Sequence, residues 1–402
     1  RLIIFYIFII LFIVFLFIVI KNTKQNLDNK SDQIDFLKKN LDNKVKQLQN
    51  IHTRLLKKNI NIENLIFEDG IVFEKKESKV FKLKKKNYNL IDFVSKDLIF
   101  AKHPEASSSA YIDYFKGNIY LVTATGQIAF SNIESLNGNK LFFSSIKSNI
   151  QELIKYSEFY NNSQFGVKDF LVRNEKIYVS YVEEHYNDCY ATSILEGSLN
   201  IAFINFVKFY RSEKCVEKND DFFSHPRDKL VAHQSGGRMI IVDNNLYLTT
   251  GEYRHRTLAQ DDKSDLGKII SINLSNKEKK IISKGHRNPQ GLFYSKDLNM
   301  LFSTEHGPSG GDEINILKAD SVSKEVIPNY GWPIASYGRH YFDNDDDKDS
   351  RYELSPLYKS HAKYGYIEPL KYFVPSVGIS QIVGVSDEIN NKNYKFFVGT
   401  MG

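Results

Sequence analysis

Leu2 to Ile20 is an unbroken apolar run of 19 residues with no charge and no side-chain amide. At about 1.5 Å rise per residue, such a run spans roughly 30 Å of hydrocarbon, which predicts a transmembrane helix over residues 1–21. The run is long for a signal peptide, and no small-residue cleavage site follows it, so an uncleaved anchor is expected. Arg1 and Lys21 flank opposite ends, and the charge rule therefore decides no orientation. The period then changes to seven. Leu27, Ile34, Leu41, Leu48 and Leu55 form one seam, joined by Leu37 and Ile51, while Lys30 and Lys44 take two equivalent positions. This pattern predicts a helical stalk over residues 22–60, either a coiled coil that would make a homo-oligomer or a solvated spacer.

From about residue 70 the helical periods give way to short strand patterns. A turn, an apolar–aromatic pair and a small or polar stretch recur in GNIYLVTATG (117–126), EKIYVSYVEE (175–184), NNLYLTTGEY (244–253), LNMLFSTEHG (298–307) and NYKFFVGTMG (393–402). The aromatic positions Tyr120, Tyr178, Tyr247, Phe302 and Phe397 are 58, 69, 55 and 95 residues apart. Repeats of this length predict propeller blades over residues 70–402, with a sandwich as the competing all-β arrangement. The widest gap holds an insertion around 320–370.

Charge refines this division. The chain of 402 residues carries a net charge of +6, but residues 1–58 hold 11 Lys/Arg against 4 Asp/Glu. The remainder holds 43 against 44, so the large domain has no basic bias of the kind that binds nucleic acid. The 24 Tyr and 29 Phe favour strands. Cys189 and Cys215 bracket an expected hairpin; in an oxidising compartment they would pair, and otherwise they are buried thiols. Two cysteines this far apart do not make a zinc site. The acidic run Asp343 to Asp349 lacks the glycine and terminal glutamate of an EF-hand loop and reads as solvated.

Three segments place Gly, His, Arg and Asn where a plain strand would not. In Ala232–Arg238 (AHQSGGR), His233 on a Gly-rich turn can serve as a general base near neutrality. In Gly285–Leu292 (GHRNPQGL), Arg287 offers a fixed fork of donors to an anion and Asn288 a neutral donor and acceptor. In Glu305–Asn315 (EHGPSGGDEIN), followed by NYGWP at 329–333, carbonyls at a Gly-Pro turn lie near carboxylates, a hard oxygen set suited to Ca²⁺.

In this order the strings HQSGGR, GHRNPQGL, EHGPSGGDEIN and NYGWP resemble the soluble pyrroloquinoline-quinone (PQQ)-dependent aldose sugar dehydrogenases, the glucose/sorbosone dehydrogenase family. Gln164–Asp169 (QFGVKD) looks like that family's Gln-x-Gly-Leu-Leu-Asp strand entry, and Ala259-Gln260-Asp261 and Gly267-Lys268 also fit. The resemblance covers roughly residues 160–402. It implies a six-bladed β-propeller that oxidises an aldose at the anomeric carbon to the lactone. His233 would take the hydroxyl proton; Gln164, Arg287 and Asn288 would contact PQQ. The Gly307 and Pro308 carbonyls would hold Ca²⁺, and Glu313 and Tyr330 match a structural Ca²⁺ position in some members. It further implies a main domain in the bacterial periplasm and a downstream electron acceptor; with the anchor expected from the apolar run, this makes a single-pass protein of the bacterial inner membrane. Ala232 stands where glucose-oxidising members carry Asp before the base. The family also continues past the segment at 393–402, so a fragment with an incomplete last blade is expected. The competing functions are a catalytically inactive, membrane-anchored propeller that binds carbohydrate or protein, and a Ca²⁺-dependent propeller hydrolase.

Overall fold

Strands form where buried and exposed side chains alternate. In Lys140–Ser148, Leu141, Phe143 and Ile146 point inward between exposed neighbours. In Cys189–Ser198 nearly every residue is buried, as expected of an inner strand covered on both faces. The tight connections follow the same logic. Asn174 and Glu175, both at positive φ (49° and 61°), make the two-residue hairpin between Val167–Arg173 and Lys176–Tyr186.

The computed structural model describes residues 70–83, 86–95, 110–162, 164–221, 229–318, 326–341, 353–386 and 394–401. They lie in one compact unit, Asp69–Gly402. Four antiparallel meanders follow one another along the chain. The first sheet runs Tyr111–Phe115, Asn118–Val122, Ile128–Asn132 and Lys140–Ser148, extended by Ile71–Lys75 and Phe93–Val94. The second runs Val167–Arg173, Lys176–Tyr186, Cys189–Ser198 and Phe206–Arg211, with Val216–Glu217 on the third strand. The third comprises Gly236–Val242, Asn245–Thr250, Lys268–Asn273 and Lys279–Lys284. The fourth comprises Pro289–Ser295, Met300–Glu305, Asp312–Lys318 and Lys371–Phe373. A pair, Ile379–Ser386 and Tyr394–Thr400, comes next.

The first strand of each sheet packs on the first strand of the next. The sheets stack face to face through apolar layers: Tyr120 and Val122 meet Phe170 and Val179; Tyr178 and Ile194 meet Leu248 and Ile270; Ile269 and Ile282 meet Leu301 and Leu317. This is a mostly β, propeller-like arrangement rather than two facing sheets. The five repeated aromatics, Tyr120 to Phe397, all fall on the second strand of their sheet or pair. The insertion enters between the last two strands of the fourth sheet.

The expected anchor (1–21) and stalk (22–60) lie outside the described residues, as does the acidic run at 343–349. Among the described residues no helix is long and apolar enough to cross a membrane. The expected inner-membrane, periplasmic placement is therefore corrected: nothing described carries it, and it is not taken further.

Cys189 and Cys215 form a disulfide, with their Cα atoms 5.4 Å apart and a sequence separation of 26. The bond ties the segment after the second sheet back onto its third strand. Closing a loop of this length restricts the unfolded chain by about 3–4 kcal/mol. The double variant Cys189→Ser/Cys215→Ser is expected to lose about that much stability, read as a lower urea midpoint with a somewhat steeper slope, because the uncrosslinked unfolded chain exposes more surface.

Candidate active site

The connection into the third sheet is a short 3-10 turn, Ala232–Gln234, followed by Gly236 and Gly237 at φ 62° and 111°. A Cβ on Gly237 would lie 2.3 Å from Cβ of Lys168, so only glycine lets the two first strands approach this closely. The turn leaves His233 exposed and turns Gln234 inward. With its amide oriented to satisfy both neighbours, Gln234 donates to Oε1 of Glu252 (2.7 Å) and accepts from Nη2 of Arg287 (3.0 Å).

Arg287 comes from the connection into the fourth sheet and is only 5% exposed. Its Nη1 donates to the carbonyls of His306 (3.1 Å) and Gly307 (2.7 Å), and its Nη2 to the Tyr341 hydroxyl (3.0 Å). The guanidinium also lies 5.4 Å from the Trp332 ring centre. Arg287 N donates to Oε2 of Glu305 (3.0 Å), which fixes the backbone as well. Such a cation is oriented before any ligand arrives. The neighbouring Asn288 accepts from Gly236 N (3.1 Å) and from Nε2 of Gln290 (2.8 Å). Gln164, just ahead of the second sheet, accepts on Oε1 from Ala232 N (3.3 Å) and on its carbonyl from Nζ of Lys168 (2.6 Å).

The structure thus brings Gln164, Ala232–Gly236, Arg287, Asn288 and Gly307 into one connected set across three sheets. His233 makes no ring hydrogen bond among the described residues. Its side chain keeps contact with solvent, yet desolvation by surrounding protein, aided by the Lys168 charge, pushes the imidazole down to about 4. It is therefore a neutral base across the physiological range.

Two members of the set escape sequence reasoning. Glu252 lies two residues beyond the third sheet's second strand, is fully buried, and leaves Oε2 without a hydrogen bond. Burial raises its carboxyl to about 7, against the opposing pull of Arg287, Arg256 and Arg254. The signal was present: a glutamate ends the apolar repeat NNLYLTTGEY. Lys168 lies within QFGVKD, where nothing in the string marks it out.

The expected Ca²⁺ ligands behave differently. Gly307, Glu313 and Tyr330 line a cavity of about 10 Å³, room for roughly one water molecule, together with Arg287, Glu305 and His361. Their oxygens, however, are engaged. The Gly307 carbonyl accepts from Arg287, and the Tyr330 hydroxyl donates to the Ile316 carbonyl (2.6 Å). The Glu313 carboxylate meets Asn315 (3.3 Å) and His361 (3.4 Å). The Pro308 carbonyl accepts from Ser376 (3.5 Å). Among the described residues no three or more His, Cys, Asp or Glu are grouped to hold a metal. His286, which precedes Arg287, is a packing residue: it is buried, bonds Ser283 (2.7 Å) and stacks on Tyr330 at 4.8 Å.

The sequence profile described as Glucose / Sorbosone dehydrogenase matches residues 133–402. The chain belongs to this family. Among curated glucose/sorbosone dehydrogenase relatives, the aldose sugar dehydrogenase YliI of Escherichia coli is 33% identical over 181 residues, covering 41% of this chain and 44% of that protein. The quinoprotein glucose dehydrogenase B of Acinetobacter calcoaceticus is 30% identical over 157 residues, covering 30% and 31%. The matched stretches therefore span less than half the length of these relatives. The crystal structure of the soluble aldose sugar dehydrogenase of Escherichia coli in the apo form shares the fold. Its TM-score is 0.52 at 21% identity, over 73% of this chain and 79% of that one. Membership bears out the family resemblance of the four strings.

Proposed function

We propose that this protein oxidises an aldose at its anomeric carbon to the lactone, using PQQ, on a six-bladed propeller of which the described sheets are successive blades. The observation that carries this reading is the joining of Gln164, the His233 turn, Arg287 and Asn288 at one place from three separate sheets. The donor set suits PQQ, an anionic quinone: a fixed guanidinium at Arg287, an ammonium at Lys168, and neutral amides at Gln164 and Asn288. When bound, PQQ supplies the hydride acceptor. His233, already neutral, receives the proton of the anomeric hydroxyl at a ring nitrogen. Arg287, held by two carbonyls and Gln234, needs no reorganisation to stabilise negative charge developing beside it. Gln164 and Asn288, each tied to the His233 turn by a backbone N–H, keep base and cation in register. Ca²⁺ does not fit the groups as arranged, because the Gly307 carbonyl faces the fixed Arg287 guanidinium, whose charge would repel a cation on that oxygen; no step is derived through it.

One observation favours a second reading, a propeller that binds without catalysing. Ala232 is buried and has no carboxylate to orient the base, and the His233 ring has no partner among the described residues.

The deciding experiment uses the full chain with PQQ. Trp332, the single tryptophan, lies against Arg287, so its fluorescence should be quenched when PQQ binds. A panel of aldoses is then tested for reduction of an artificial dye. Quenching with sugar-dependent reduction is the expected result. Quenching without reduction leaves the binding module, and absence of quenching overturns the PQQ reading.

A further inference from the structure

Lys168 sits on the first strand of the second sheet, inside the set described above. Its stem is pinned by the close approach of Gly237. Its Nζ donates to the Gln164 carbonyl at 2.6 Å. Among the described residues it has no other hydrogen-bond acceptor and no carboxylate within ion-pair distance. The nearby acid Asp169 is committed elsewhere: it pairs with Arg238 (2.8 Å) and accepts from Met239 N (2.7 Å). An ammonium held this way retains two N–H groups and an unneutralised charge next to His233. Burying such a group unpaired is costly, and an arriving anion would offset that cost. Burial alone pushes the amine down to about 7, with no neighbouring acid opposing it.

We infer that Lys168 is the anion-recognising residue of this site, taking a carboxylate of the ligand that lies beside His233. The inference rests on the ligand-binding reading above and deepens it. The carboxylate has two sources: PQQ carries carboxylates on its ring system, and an acidic sugar such as D-glucuronate carries one on its chain. Neutral aldoses carry none.

The test compares the wild-type full chain with Lys168→Met, which keeps the stem against Gly237, and Lys168→Arg, which keeps the charge. Three quantities are read: PQQ affinity by Trp332 quenching, and KM for D-glucose and for D-glucuronate by dye reduction. The melting temperature of Lys168→Met should be unchanged or higher, since an unpaired charge has been removed; a merely structural lysine would lower it. A loss of PQQ affinity of tenfold or more in Lys168→Met, restored in part by Lys168→Arg, supports the inference and assigns the carboxylate to the cofactor. A tenfold rise in KM for D-glucuronate, with D-glucose unchanged, supports it and assigns the carboxylate to the sugar. Wild-type binding that Lys168→Met leaves intact for PQQ and both sugars overturns the inference alone. A wild-type chain that binds neither PQQ nor sugar overturns the functional reading and the inference with it.

Discussion

Replacing His233 with alanine is expected to lower the turnover of aldose-dependent dye reduction by about 10²- to 10⁴-fold, the usual contribution of a positioned base. Folding should be untouched, because the side chain is exposed and makes no hydrogen bond among the described residues. PQQ affinity should change little, so that kcat falls while quenching of Trp332 persists. The pH dependence follows from the same residue. Its imidazole is pushed down to about 4, chiefly by desolvation and then by Lys168. The base form therefore dominates above that value and is lost as pH falls through it. The acidic limb of kcat/KM assigned to this group should lie near pH 4, not near 6.5. Lys168 loses its own charge near 7, but His233 is already neutral there, so that titration adds no second limb through the base. A limb at 6.5 that vanishes in His233→Gln would show that substrate-free burial does not control the imidazole.

Asp312→Ala is expected to cost about 3–6 kcal/mol of stability, because it strips the acceptor from several buried donors at once. Asp312 is 1% exposed. Its Oδ1 accepts from Gly307 N (3.1 Å) and the Ser376 hydroxyl (2.9 Å); its Oδ2 accepts from Val377 N and Ile379 N (both 3.1 Å). Three backbone N–H groups would be left unpaired, those of Gly307 and Ile379 buried and that of Val377 half-buried, and a buried one costs about 1–3 kcal/mol. The carboxylate also joins two pieces of the fold, the turn at Gly307 and the strand that opens at Ile379. Loosening that turn moves the carbonyls that hold Arg287, so PQQ quenching should weaken along with stability. Urea denaturation and quenching measured on the same sample check both. Asp312→Asn, which keeps one acceptor oxygen, should fall between the two proteins.

The fold was legible where local patterns repeat. Tyr120, Tyr178, Tyr247, Phe302 and Phe397 share a place on the second strand because each follows a turn and precedes a short apolar or small stretch, a pattern carried by neighbours in sequence. The order of the His233, Arg287 and Gly307 strings was legible too, since each is a Gly- or Pro-marked turn. What the strings could not express is how the turns meet. Arg287 reaches the Gly307 carbonyl across 20 residues and Gln234 across 53. That first contact sets a fixed positive charge against the oxygen expected to bind Ca²⁺. Tyr330 looked like a ligand by its position, yet its hydroxyl turns to the Ile316 carbonyl. Glu252 and Lys168 look like ordinary charged strand residues. Only the packing of separate sheets and turns buries Glu252 and half-buries Lys168 without full partners. The strands Ile71–Lys75 and Phe93–Val94 carried no family string, and they are placed by pairing with the first sheet, a long-range event with little local signature.

No single sheet holds the candidate site. Gln164 and Lys168 belong to the second, His233 and Glu252 to the third, Arg287 and Gly307 to the fourth. A ligand gripped by all of them acts as a clasp across three independently hydrogen-bonded meanders. Its binding energy would then be forfeited whenever any one of them opens, which couples their local openings into a single event. Hydrogen exchange in the presence of such a ligand should slow together in strands far from the site, and in its absence should resolve sheet by sheet.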